Sequence, residues 1–162
     1  MSDSPSESSE PQPQVDPANL MLVVVGAHLR AETADRPLAY RLVERIRAWM
    51  EKHGQAIVPP VMPIVCSDIW YVNDEALQSR PTISIGGPGV NALSAYYHQK
   101  LKTAFAREDD MLIQLDPEFI DLRVSVWGKD HNLTVQALEM FVSKYLDAYL
   151  RAVATQVEPK IE

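Results

Sequence analysis

The sequence predicts an α/β domain, a three-layer Rossmann-like or flavodoxin-like sandwich with a mainly parallel sheet. A continuous apolar run over residues 20–25 is typical of a strand covered on both faces, as in a parallel sheet. Amphipathic helices then alternate with short apolar strands, which is the order of βαβ units. A short turn separates the last two strand-like segments, 111–115 and 122–127, so an antiparallel element is expected near the C-terminal end.

Composition sets limits on the class of protein. The 162 residues are 46% hydrophobic and 23% charged, which suits one globular domain with its own core. The single cysteine, Cys66, excludes a disulfide framework and a cysteine-rich zinc site. The net charge of −7 argues against general nucleic-acid binding, and the longest apolar run is far shorter than the ~20 residues that cross a bilayer. We expect a cytoplasmic protein with neither nucleic acid nor membrane as partner.

The first 17 residues differ in composition from the rest. They are rich in Ser, Pro and acidic residues, and Val15 is the only apolar side chain after Met1. Such a segment cannot bury enough apolar surface to fold, and it lacks the basic and apolar regions of a secretory signal. We therefore expect a disordered tail over 1–17 and a single α/β domain over 18–162.

Local patterns predict the elements of the first half. After the strand over 20–25, apolar residues at three- and four-residue spacing predict a helix over 37–52. Asp35 is suited to cap the start of this helix and Gly54 its end. Three prolines restrict the next apolar segment to a strand over 64–66 with the character of a sheet edge. Another short strand is expected over 82–85.

The second half continues the alternation. An amphipathic pattern predicts a helix over 92–106 with Leu93, Tyr97, Leu101 and Ala104 facing inward. Strands are expected over 111–115 and 122–127, and a long final helix over 134–153. The apolar face of that helix is broad enough to suggest a homo-oligomer interface, or else the core side of the domain; it contains Tyr145, Leu146, Tyr149 and Leu150.

Chemically interesting residues follow the predicted strands. In an open parallel sheet, ligands bind beyond the carboxyl ends of the strands. If the strand directions are right, four loops meet at this edge and carry His28, Asp68, the turn Gly86-Gly-Pro-Gly-Val-Asn91, and the segment Lys129-Asp130-His131.

The glycine-rich turn is the strongest local signal. Backbone amides between a strand and a helix can bind an anion, so Gly86, Gly87, Gly89, Asn91 and Lys129 are candidate ligand-binding residues. Gly87-x-Gly89-x-x-Ala92 also fits a loose dinucleotide fingerprint, with Asp116 as a candidate ribose partner. The third interpretation is a tight turn with Asn91 as the helix N-cap.

Two histidines supply the groups at this edge that titrate near neutral pH. His28 or His131 could act as a general base, oriented by Asp68 or Asp130. Capping or solvent-exposed roles are the alternative, and the four residues lack the local spacing of a metal site, so no metal is predicted.

Other reactive or aromatic residues have simpler interpretations. Cys66 beside Ser67 suggests a nucleophile, but it ends an apolar strand, where a free cysteine packs as a small hydrophobe. Trp70 and Tyr71 could stack on a ring-shaped ligand or serve packing.

The segment Thr82-Ile-Ser-Ile-Gly-Gly-Pro-Gly-Val-Asn91 resembles a known type of module. A strand ending in Gly-Gly-Pro-x-x-Asn before a helix, with a later strand Val124-Ser-Val-Trp-Gly128 and a helix start Thr134-Val-Gln-Ala137, resembles the α/β modules of archaeal S-layer proteins and bacterial cell-wall-binding repeats. The match covers about a third of the chain. The resemblance implies a non-catalytic module in which Gly86, Gly87, Pro88 and Asn91 shape a turn.

Two functions stay open at this point. The first is a binding or interaction module without a catalytic signature, whose partner is a small anionic ligand or another protein. The alternative is a small enzyme that binds a phosphorylated or nucleotide-like substrate at the turn 86–91. The sequence does not identify a cofactor.

Overall fold

The computed structural model describes residues 17–53, 61–108 and 110–156. Residues 1–16 of the predicted tail, and the predicted helix end at Gly54, lie outside these ranges. Pro17–Asn19 form a short 3-10 turn that leads directly into the first strand.

The described residues form a six-stranded mixed sheet. Its strands are β1 (Leu20–Val25), β2 (Met62–Ser67), β3 (Thr82–Ile85), β4 (Thr103–Arg107), β5 (Met111–Gln114) and β6 (Arg123–Gly128). Their order is β2-β1-β3-β6-β5-β4. The first four strands in that order are parallel, whereas β5 is antiparallel to both β6 and β4. The predicted α/β class, with a mainly parallel sheet and an antiparallel element, is confirmed.

Helices cover both faces of the sheet. They are α1 (Leu29–Ala34), α2 (Arg36–His53), α3 (Asp68–Val72), α4 (Glu75–Gln78), α5 (Ala92–Lys100), α6 (His131–Phe141) and α7 (Asp147–Gln156), with a π-helical segment Val142–Leu146 between the last two. One core cluster joins α2 and the C-terminal helices to the sheet, and a second joins α3, α4 and α5 to its other face. The molecule therefore has three layers, as predicted.

Each core contains large side chains whose polar ends are bonded. Tyr149 is fully buried on the first face, and its hydroxyl donates to the carbonyl of Leu122 at 2.9 Å. On the second face the hydroxyl of Tyr71 lies 2.9 Å from that of Thr82 and 3.3 Å from that of Tyr97. Burying a large apolar side chain contributes about 1.5–3 kcal/mol, so these clusters fix the positions of the loops at the strand ends.

The predicted helix over 92–106 is wrong in its second half. The helix α5 ends at Lys100, because Leu101 has extended dihedral angles of −98° and 152°. The following residues form β4, which pairs with β5 through a short hairpin. Thr103 and Phe105 favour a strand, and pairing with β5 outweighs the helical spacing that continues through Ala104.

The predicted cap at Asp35 is also wrong. Residues 29–34, which precede the helix predicted over 37–52, form α1, and Asp35 lies in helical conformation between α1 and α2. Its backbone carbonyl, rather than its side chain, accepts a hydrogen bond from the amide of Ala39. The carboxyl group is left for another role.

The final helix is longer than predicted, and its apolar face belongs to the domain core. It begins at His131 and ends at Gln156, with one π-helical interruption. Leu146, Tyr149 and Leu150 are all buried against the sheet of their own chain. The observation that suggested a homo-oligomer interface is thus accounted for by the core.

Candidate functional site

The carboxyl ends of β1, β2, β3 and β6 meet at one edge of the sheet, since all four strands are parallel. This edge contains a cavity of about 630 Å³. The end of α1, the turn after β3, the loop after β6 and the first turn of α6 form its walls. The strand directions on which the predicted convergence depended are correct.

The turn after β3 is tight and its tip is open. Gly86 has φ of +110° and donates its amide to the carbonyl of Val126. The amides of Val90 and Asn91 both donate to the carbonyl of Gly87 and close the turn. Gly89, at the tip, has no atom within 4 Å of the position that a Cβ would occupy. A side chain at residue 89, which lines the cavity, would therefore extend into open space without meeting the rest of the protein.

Asn91 holds this turn in place from inside the protein. Its side-chain oxygen accepts from the amides of Leu93 and Ser94, which confirms the predicted N-cap of α5. Its side-chain nitrogen donates to Ser84 Oγ at 3.0 Å and to the carbonyl of Ile85 at 3.0 Å. Because the side chain is 1% exposed and its polar atoms are all bonded, we assign Asn91 to positioning the turn.

Asp68 joins two of the loops by a similar device. Its carboxylate accepts from the amide of Ala27, after β1, at 3.0 Å and from the amide of Ala92, at the start of α5, at 2.7 Å. The side chain is buried and does not line the cavity. These contacts favour a structural role over the predicted role of a catalytic orienter.

The two histidines lie in different places. The exposed His28 caps α1, where its Nδ1 accepts from the amide of Arg30 at 3.1 Å, and it does not line the cavity. His131 lines the cavity at the start of α6, together with Lys129 and Asp130. Asp130 is the N-cap of α6 and accepts from the amide of Leu133 at 2.9 Å. The structure thus brings Lys129, Asp130 and His131 together at the cavity, whereas the predicted residues His28 and Asp68 lie outside it.

The carboxyl group of Asp35 is the feature that the sequence did not reveal. Asp35 lines the cavity, is 6% exposed and lies against Gly86, where a Cβ would come within 2.5 Å of Oδ2. Burial raises the pKa of this carboxyl from 3.8 to about 6, and the charge of His131 opposes the rise. A cleft carboxyl with a strongly displaced pKa is typical of functional sites.

Several other polar groups around the cavity lack a protein partner. No described residue accepts a hydrogen bond from the amide of Gly87 or Gly89. The exposed side chains of Arg30 and Lys129 form no ion pair within the described part of the chain. The indole N–H of Trp127, another lining residue, is buried without an acceptor among those residues. The two glycine amides and the side chains of Arg30 and Lys129 are therefore available to a bound molecule, whereas the indole N–H of Trp127 is enclosed.

The position of Asp116 contradicts its predicted role as the ribose partner in a dinucleotide site. The strand β5 is antiparallel, so residue 116 lies at the opposite edge of the sheet from Gly87 and Gly89. Its carboxylate accepts from the amides of Asp121, Glu118 and Ile120, and these bonds lower its pKa.

Cys66 is buried, which agrees with the packing role that its apolar surroundings favoured. It is 3% exposed, and burial raises the pKa of its thiol to about 11, so the reactive thiolate is scarce near neutral pH. Trp70 is exposed on α3, whereas Tyr71 packs in the core. Residues 17–53, 61–108 and 110–156 hold no cluster of three or more His, Cys, Asp or Glu side chains able to bind a metal ion.

Two further cavities have central polar groups that already pair within the protein. In one, of about 570 Å³, Asp147 accepts from Trp49 Nε1 at 2.9 Å and from the nearby Arg151 at 2.9 Å. In another, of about 320 Å³, the guanidinium of Arg123 binds Asp121 at 2.8 Å. In each of these two cavities, one charged lining residue therefore already has a protein partner.

Comparisons of the chain with protein-family models, with curated proteins and with solved structures find no match. Across the residues described, no helix combines the length and the apolar character needed to cross a membrane.

Proposed function

We propose that this protein is a binding module for a small anionic ligand that occupies the cavity at the carboxyl ends of β3 and β6. The carrying observation is the set of unpartnered donors around that cavity: the amides of Gly87 and Gly89 and the side chains of Arg30 and Lys129. Backbone amides at a strand–helix turn and nearby cations are the groups that bind phosphate and other anions. A volume of about 630 Å³ is within the range of small-molecule sites.

The strand order supports the finer Rossmann-like or flavodoxin-like assignment as part of this proposal. In the sheet, β2 lies on one side of β1, whereas β3 and then β6 lie on the other side. The direction in which strands are added to the sheet therefore reverses at β1. A sheet with such a reversal binds ligands in the crevice where the loops separate. The loops after β1 and β3 lead into walls of the cavity, which agrees with that rule.

The S-layer resemblance stays a prediction. The turn-shaping role that it implies for Gly86 and Asn91 is compatible with their contacts, and a module without catalysis is compatible with binding.

Titration of the full chain with inorganic phosphate tests the proposal. Calorimetry and thermal unfolding should both detect binding, since a ligand at 100 times its Kd adds about 2.7 kcal/mol of stability, a shift of several degrees. Gly89→Leu fills the open tip and should abolish binding, whereas Gly89→Ala should retain it. Lys129→Ala should weaken it. An unchanged melting temperature and no heat of binding would refute an anion site and favour a protein partner.

One observation favours the alternative, a small enzyme acting on a phosphorylated or nucleotide-like substrate. Burial raises the pKa of Asp35 to about 6, and the imidazole of His131 lines the same cavity, so a carboxyl group and an imidazole face one bound molecule. His28 and Asp68 do not belong to this pair. Turnover of a nucleotide or sugar phosphate that is lost in both Asp35→Asn and His131→Ala would establish the enzyme; no turnover of such compounds would leave the binding module.

A further inference from the structure

Asp35 is a buried residue that presents its carboxyl group to the cavity without a protein donor to satisfy it. The residue is 6% exposed and lines the cavity, yet its side chain takes part in no hydrogen bond or ion pair with any described residue. The carboxyl oxygens are not fully enclosed, so they face the solvent of the cavity. A carboxylate that has lost most of its hydration is stabilised by any donor that replaces the lost water. By contrast, Asp68 and Asn91 at the same edge are satisfied by backbone groups.

The charges around Asp35 restrict the kind of donor that could satisfy it. His131 acts electrostatically on Asp35 from α6, and Arg30 and Lys129 line the same cavity from α1 and the loop after β6. The cations of Arg30 and Lys129 would repel a ligand ammonium group, whereas they would not repel neutral hydroxyl groups. Asp130, the other acid of the wall, already caps α6.

We infer that the ligand is a phosphorylated polyhydroxy compound, such as a sugar phosphate, whose neighbouring hydroxyl groups donate to the carboxylate of Asp35. The inference rests on the proposed anion site, which binds the phosphate through the exposed Gly89 amide and Lys129. A carboxylate has two oxygens and accepts two hydrogen bonds side by side, which matches a vicinal diol. The buried position of Asp35 and the exposed position of Gly89 place the hydroxyl groups deep in the cavity and the phosphate at its mouth.

Three probes separate the two parts of the site in the full chain: inorganic phosphate, ribose 5-phosphate and 2-deoxyribose 5-phosphate. Only ribose 5-phosphate carries the phosphate together with the vicinal pair at carbons 2 and 3. Hydrogen bonds to a charged group contribute about 1.5–3 kcal/mol, so wild-type protein should bind ribose 5-phosphate at least about tenfold more tightly than either other probe. Calorimetric titration measures the three values of Kd.

Asp35→Asn should remove this discrimination. The variant should bind ribose 5-phosphate about as weakly as 2-deoxyribose 5-phosphate. It should bind inorganic phosphate at least as tightly as the wild type, since a negative charge has been removed from the cavity. Asp74→Asn is the matched control, because Asp74 caps α4 outside the cavity and asparagine is as good a cap. Asp35→Ser, which also lacks the carboxylate, repeats the test should the Asn variant fold poorly.

The remaining outcomes are distinguishable. Equal binding of all three probes, unchanged by Asp35→Asn, would overturn the role of Asp35 and leave the anion site standing. Loss of inorganic phosphate binding in Asp35→Asn would assign Asp35 to the structure of the anion site and overturn the inference. Absence of binding by every probe in wild-type protein would overturn the proposed function, and the inference with it.

Discussion

Replacing Asp35 by asparagine should stabilise the protein, and the gain should depend on pH. Burial raises the pKa of the carboxyl from 3.8 to about 6. Between about pH 4 and pH 6, therefore, Asp35 keeps its proton in the folded chain but releases it in the unfolded chain. Each pH unit between the two values corresponds to about 1.4 kcal/mol, so ionising Asp35 in the folded protein costs about 3 kcal/mol. The stability supplied by the protonated group is fully present below about pH 4 and is lost as the pH rises through 6.

An asparagine side chain at this position does not ionise, so the variant escapes this loss. Asp35→Asn should exceed the wild type in unfolding free energy by about 3 kcal/mol at pH 8 but by only about 1 kcal/mol at pH 4.5. For a domain of this size the difference at pH 8 is roughly 10 °C in melting temperature. Urea unfolding and calorimetry at both pH values measure it.

Asp130→Asn is the control for a general charge effect. Asp130 lines the same cavity but is exposed, and asparagine can replace it as the N-cap of α6. We expect its effect to be small and similar at the two pH values. An equal effect of Asp35→Asn at pH 4.5 and pH 8, or a loss of stability at pH 8, would refute the argument that burial displaces this pKa.

The remaining predictions concern the turn and the buried thiol. Asn91→Ala should lower the unfolding free energy by about 2–4 kcal/mol in urea titrations, because it removes the cap and leaves buried carbonyls unpaired. Asn91→Asp keeps the cap acceptor but sets a buried carboxylate oxygen against the carbonyl of Ile85, so it should also lower the unfolding free energy, and an unchanged stability of both variants would contradict these contacts. Gly86→Ala should cost more than about 1 kcal/mol by the same measurement, since φ is +110° and the new Cβ meets Asp35, and retention of full stability would contradict this geometry. Cys66 should resist a thiol reagent at pH 8 in the native protein and react on unfolding, because it is buried with a pKa of about 11; rapid native labelling would disprove its burial.

Long apolar runs and long amphipathic patterns predicted the layers of the fold, because a strand or helix that is buried in the core needs an apolar surface along its whole length. The strand β1 matches its predicted bounds, and α2 differs from its prediction by one residue at each end. Shorter elements lack such a pattern. The helix α1 buries only Ala31, so its sequence carries no apolar stripe, and β4 depends on pairing with β5 rather than on its own composition.

The candidate site divides in the same way. Turn and cap residues such as Gly86 and Asn91 are recognisable because their roles depend on neighbouring residues in the chain. The burial of Asp35 depends on its contact with Gly86, 51 positions away, and no local spacing distinguishes it from an ordinary helix cap. Similarly, the alternation of side chains along a strand places Trp127 and Val126 on opposite faces of the sheet, but it does not show that Trp127 lines a cavity.

The contrast between Asp68 and Asp35 bears on why the edge has this form. Both are buried acids beside loops that follow parallel strands, yet Asp68 is bonded by two backbone amides and Asp35 by none that the structure describes. The scaffold therefore does not need an ionised group at residue 35, and an asparagine side chain there would fold with less cost at neutral pH. A ligand that donates to Asp35 removes that cost on binding, so the free energy lost in the empty protein reappears as preference for molecules carrying the matching hydroxyl groups. The glycine amides alone would bind different anions with similar affinity. The cost of ionising the unpaired Asp35 is thus the physical basis on which the cavity would prefer anions that carry suitable hydroxyl groups.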